Sequence, residues 1–215
     1  MIQNDLIIPI ASILLTITAL TLLLVHEWRI SLIILALQYI SVFTLVLSYW
    51  PMAMAATKLI AGWISAAVIG MAIASNSDIQ TQLNAASNPK DIDSSSIQTK
   101  NSSALGLAFR ILTAGLVALT AASQLKLITT WFSEMNPLYA WAGVVLIGFG
   151  MVKLGFTFQP FHVLLALLTA LAGFEILYAA MESSVISAGL FAAVNLALAL
   201  VGAYLLTAPI MEDEA

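Results

Sequence analysis

The sequence predicts an all-α polytopic membrane protein with about seven transmembrane helices. Of its 215 residues, 61% are hydrophobic and only 8% are charged, and the mean hydropathy is +1.03. A water-exposed fold of this length needs far more charge to cover its surface. A bilayer is the solvent that accepts this composition. The second observation is spacing: a spanning helix takes about 20 mostly apolar residues, and stretches of that size recur along the whole chain. The third is punctuation, because short polar or proline-bearing turns separate them.

The expected spans are 6–25, 30–49, 52–75, 104–123, 137–157, 161–181 and 184–208. Four connections are short: His-Glu-Trp-Arg at 26–29, Trp50-Pro51, Thr-Phe-Gln-Pro at 157–160 and Glu182-Ser183. Pro51, Pro137 and Pro160 each open a span, where the missing N–H costs nothing. The one long connection, 76–103, is rich in Ser, Asn, Gln and Asp and is expected to be a flexible solvated loop. The acidic segment 209–215 forms a tail. The N-terminal Met-Ile-Gln-Asn-Asp has no basic n-region, so the first span is expected to stay as a helix rather than be removed as a signal peptide. With seven spans, Arg29, Lys90, Lys100, Arg110 and Lys153 collect on one side and Lys126 on the other. The positive-inside rule therefore puts the N-terminus outside and the C-terminus on the cytoplasmic side. Tyr49, Trp50, Trp131, Tyr139 and Trp141 fall at the outer edge, where aromatic rings anchor in the headgroup region.

Charge at membrane depth costs ~3 kcal/mol per residue on insertion scales, so each instance needs a reason. Glu175 lies about six residues, ~9 Å, from the outer end of its span, and Lys58 lies as far from the outer end of a span running the opposite way. Matching depth makes them natural partners. Gln38 and Asn195 fall near the midplane, and Arg110 lies about six residues from an inner end. These five are the candidates for a broken polar track through the membrane. A static reading accounts for the same residues: Gln38 and Asn195 as hydrogen-bonding glue between helices, Arg110 snorkelling to the surface, and Lys58–Glu175 as a structural pair. His26 and His162, at span ends, read as interfacial, and Glu182 as an outer mouth.

Gly173-Phe174-Glu175, in the stretch Leu-Leu-Ala-Leu-Leu-Thr-Ala-Leu-Ala-Gly-Phe-Glu-Ile-Leu-Tyr-Ala-Ala-Met, resembles the Gly-x-Glu segment of complex I subunit K. The resemblance extends to the C subunit of Mrp-type cation/proton antiporters and to component E of hydrogenase-4. In that family the glutamate serves a proton path, a role the resemblance passes to Glu175. The family's third helix carries a second glutamate after a small-residue run, and here Ala192-Ala193-Val194 is followed by Asn195. An amide cannot take up and release a proton at physiological pH, so the complete two-glutamate relay is in doubt. The first three spans resemble a weaker copy of the same unit, with Gln38 in the glutamate's place. Residues 1–75 and 137–208 then form two parallel three-helix units, with 104–123 as the connector helix. Length and span number fit component E better than the three-helix proteins.

The resemblance implies a non-redox membrane-arm subunit of a complex I-like, hydrogenase-like or Mrp-like assembly, packed against antiporter-like subunits in a bacterial plasma membrane or a thylakoid. It implies no cofactor. The residues agree on several exclusions. No cysteine is present to ligate zinc or an iron–sulfur cluster, and no metal-ligand spacing, serine elbow or phosphate loop suggests an enzyme acting alone. The seven Lys and Arg form no patch for nucleic acid. Two other classes stay open, a self-contained small transporter and a purely structural or assembly subunit. The glycines of the fifth span, Gly143, Gly148, Gly150 and Gly155, read as close-packing positions rather than breaks that would unwind a binding site.

Overall fold

A computed structural model describes residues 2–25, 27–86, 100–131 and 135–208. Among them are seven helices and no strand: α1 (Ile2–Leu24), α2 (Trp28–Val46), α3 (Met52–Ala86), α4 (Lys100–Trp131), α5 (Pro137–Gly155), α6 (Pro160–Ala179) and α7 (Val185–Thr207). Each contains an apolar stretch long enough to cross a bilayer. The described residues make a seven-helix membrane protein. Only helices satisfy their own backbone in lipid without closing into a barrel, and at these connection lengths successive helices run in alternate directions.

Prolines and caps set several starts. Pro137 and Pro160 are first residues of α5 and α6, and the Asn136 side chain accepts from the Leu138 N–H at 3.0 Å, capping α5. Two boundaries differ from the sequence expectation. The apolar part of α4 is Ala108–Trp131 rather than 104–123. Ser123, Gln124 and Lys126 look like a stop, yet the helix continues because its hydroxyls bond their own carbonyls: Ser123 to Thr120, Thr129 to Leu125 and Thr130 to Lys126. The connection expected over 76–103 is also shorter. No Gly or Pro interrupts 76–86, so α3 propagates to Ala86, and α4 begins at Lys100. The intervening 87–99, the tail 209–215 and His26 lie outside the described residues, as does Lys90.

The helices stack as two layers. α1, α2 and α3 lie side by side, as do α5, α6 and α7, and each helix of the first layer packs on its counterpart four spans later: α1 on α5, α2 on α6, α3 along the length of α7. α4 stands outside, against α5 and to a lesser degree α1. The core between the layers is built from Leu15, Leu22, Leu35, Val42, Ile69, Leu146, Leu165, Leu168 and Ile176, all essentially without exposure. Glycines permit the closest approach. A Cβ on Gly173 would sit 2.6 Å from the Gly143 carbonyl oxygen, and one on Gly150 would sit 2.8 Å from the Ala166 carbonyl oxygen. The α5 and α6 backbones therefore touch, as small-residue interfaces in membranes allow. Gly148 admits the Val117 side chain of α4, while Gly155 faces open space and has no such packing role.

A candidate ion-pair site between the two layers

Four helices bring one polar group each to a closed ring. Lys58 of α3 pairs its ammonium with Oε2 of Glu175 on α6, both side chains almost fully buried. The Asn195 amide of α7 donates through Nδ2 to Glu175 Oε1 at 3.1 Å. Its Oδ1 accepts from the Tyr39 hydroxyl of α2 at 3.2 Å. The Tyr39 ring in turn lies 5.0 Å from the Lys58 ammonium, in cation–π range. Tyr39 reaches this place because Gly62 of α3 leaves room for its ring, which any Cβ there would overlap. Ser65 of α3 holds α7 alongside, its Oγ 2.8 Å from the Ala61 carbonyl and 3.2 Å from that of Asn195.

The chemistry of the ring follows from donor and acceptor counts. An ionised carboxylate only accepts, so the Asn195 NH₂ must face it and the amide oxygen must face a donor, which Tyr39 supplies. Lys58 brings three donors, and apart from Glu175 its ammonium finds no acceptor among the described residues. The pair can exist as carboxylate plus ammonium or as carboxylic acid plus amine, with one proton moving between them. If Glu175 is protonated, rotation of the Asn195 amide presents its oxygen to the new O–H. The site can therefore hold a proton or an ionic charge in a place that water does not cover.

Depth places the ring toward one end of the bundle. Glu175 is one turn from the end of α6 and Lys58 less than two turns from the start of α3. One turn nearer that end, the Tyr178 hydroxyl donates to Glu182 Oε2 at 2.8 Å and lies 2.9 Å from Ser187 Oγ. Trp50 Nε1 donates to the Glu182 carbonyl at 3.0 Å. Glu182 thus stands at the rim beside the site, just past the end of α6, with Tyr178 between it and Glu175 along the chain.

Three of the five track candidates, Lys58, Glu175 and Asn195, come together. Gln38 is buried on α2 beside Tyr39 in sequence, but neither its amide oxygen nor its nitrogen has a protein partner among the described residues. The glue role expected for it is therefore not seen. Arg110 stands apart, lining a pocket with Lys153 and His162 at the other end of the bundle. His162 does lie at a span end, yet it is buried there rather than set at the surface. Tyr39 is the residue sequence reasoning missed. Its signal was position, because a tyrosine in mid-span, away from the headgroup region where tyrosines collect, needs a partner for its hydroxyl. Among the described residues no group of three His, Asp or Glu side chains stands close enough to hold a metal ion.

Searches of family models, curated proteins and solved structures returned no match for this chain.

Proposed function

We propose that the chain is a non-redox membrane subunit carrying part of a proton or cation path within a larger complex I-like, hydrogenase-like or Mrp-like assembly. The observation that supports this reading best is the Lys58–Glu175 pair, buried between the two helix layers and tied to Asn195 and Tyr39. Buried ion pairs are poor stability devices, because desolvation offsets most of the attraction. An ionisable pair kept inside a membrane is accordingly read first as a functional group. Glu175 is the proton carrier in this reading, Lys58 the switchable counter-charge, and Asn195 with Tyr39 the donors that orient the carboxylate. The N-terminus is outside and the C-terminus cytoplasmic, with Glu182 at the outer entry.

The test has two parts. A tagged chain extracted in mild detergent is expected to bring antiporter-like membrane subunits, together with iron–sulfur, nickel–iron or other antiporter proteins identified by mass spectrometry. Recovery of the chain alone would leave the self-contained transporter as the reading to pursue. In the assembled complex, Glu175→Gln is expected to lower proton or cation flux by tenfold or more with the subunit still incorporated. Flux at the wild-type rate would end the relay role and leave the pair structural.

A further inference from the structure

The four helices that form the ring also enclose a cavity. Trp28 and Arg29 of α2, Ile73 of α3, Phe161 and His162 of α6 and Leu206 of α7 line about 610 Å³ at the end of the bundle away from Glu182. Ring and cavity thus stand at two levels of one four-helix unit, about 16 Å apart along α2. Two polar side chains of α2 occupy the interval. Ser31 and Gln38 are 0% and 1% exposed, and neither the Ser31 hydroxyl nor the Gln38 amide has a partner among the described residues. Groups buried in this way cost free energy unless water meets them. The two are a pair of turns apart, about 10 Å, and so share one face of the helix. Leu35, also 0% exposed, sits on that face between them. Neighbouring helices bring hydroxyls to the level of Gln38: Ser65 of α3 and Thr169 of α6 are buried about two turns from Ile73 and Phe161. Each donates to a carbonyl of its own helix, and its oxygen keeps the capacity to accept from water.

We propose that the Ser31–Gln38 face of α2 is a water passage from this cavity to the ring, with Leu35 as its gate. Ser31, one turn in from Trp28, takes water from the cavity. Gln38 binds water beside Tyr39, where its own acceptor and donors, with the Ser65 and Thr169 oxygens, supply the two to four partners a buried water needs. Leu35 interrupts the file with an apolar side chain, and a constriction of that kind closes by drying and opens by wetting. The structure shows the closed form, with Leu35 packed in the core and the Lys58–Glu175 pair covered. Of the three helix pairs that join the layers, α2 with α6 makes the slightest contact, so the layers part most readily here. Once open, the ring faces water from two directions, past Tyr178 and Glu182 at one end and along this passage at the other. Its use for protons rests on the path proposed above, whereas the passage itself rests on burial and geometry alone.

The chain has no cysteine, so a single introduced cysteine reports water access without background. Full-length chains carrying Ser31→Cys, Gln38→Cys or Leu37→Cys are kept in the membranes that express them and treated with silver ion, a probe small enough for a single file. Thiols left free are then counted with a maleimide. A thiol ionises and reacts only where water reaches it. Ser31→Cys is expected to be consumed fast and Gln38→Cys slowly. Leu37→Cys, at the same depth but on the 40% exposed face of α2, is expected to stay free in lipid. Adding Leu35→Ala is expected to speed Gln38→Cys roughly tenfold or more by widening the constriction. The same change should leave Leu15→Cys, buried on α1 away from this face, unreactive. Gln38→Cys as inert as Leu37→Cys with Leu35→Ala present, or a rate that Leu35→Ala does not change, overturns the proposal. Equal acceleration of Leu15→Cys would reveal a loosened bundle instead of a gate and overturn it as well. Silver access is read without any flux, so failure here and failure of the Glu175 relay are separate results.

Discussion

Lys58 and Glu175 hold each other in a place where neither could stay charged alone. Taking either ion out of water costs several kcal/mol, and their attraction returns that only while both are present. Lys58→Met should therefore leave an uncompensated carboxylate and lower stability by about 3–5 kcal/mol, whereas Lys58→Met combined with Glu175→Gln should recover most of the loss. Thermal unfolding in detergent checks both. A single variant as stable as the wild type would mean that water reaches the pair, which contradicts its burial. Residue-level legibility was uneven for a geometrical reason. Matching depth was enough to join Lys58 to Glu175, because depth is a count along each helix. Which way Gln38 or Arg110 faces depends on how the helices rotate and pair, and a count does not contain that. Tyr39 was overlooked because tyrosine was read only as an anchor at the membrane edge.

At the scale of single helices, the contact between α5 and α6 is decided by glycine. Gly173 opens the Gly-Phe-Glu segment and fixes how near the Glu175 helix comes to α5. Its absent Cβ leaves the Gly143 carbonyl and the Ile147 nitrogen, 2.8 Å from where that atom would be, in place. Both obstacles are backbone and cannot swing aside. Gly173→Ala is expected to separate the helices and cost on the order of 1–3 kcal/mol, as overpacking does. Gly115→Ala, in open space on α4, should be neutral or gain up to about 1 kcal/mol from helix propensity. Thermal unfolding of the two variants side by side checks this, and an equal effect would remove the close-approach argument. The helices themselves were legible, since a bilayer demands a minimum apolar length and the chain supplies it seven times. Their ends were less so where polar residues such as Ser123 and Lys126 continue a helix by bonding within it or by reaching toward water.

For the whole molecule, the layer arrangement makes a prediction about what holds the chain together. α1, α2 and α3 face α5, α6 and α7 across a continuous buried surface that contains the Lys58–Glu175 ring. Helices that fold independently in a membrane and then associate need complementary faces more than a covalent link. Residues 1–86 and 100–215, co-expressed as separate chains, are accordingly expected to find each other in the membrane. An affinity tag on one fragment should retain the other through detergent extraction. The ring gives this test its specificity, because Lys58 sits on the first fragment while Glu175 and Asn195 sit on the second. Lys58→Met should weaken recovery of the partner fragment, and Glu175→Gln in that partner should restore it. Recovery indifferent to both changes would mean that apolar packing alone joins the layers. The ion pair would then contribute nothing to assembly, leaving transport as the only remaining reason for charges at that depth.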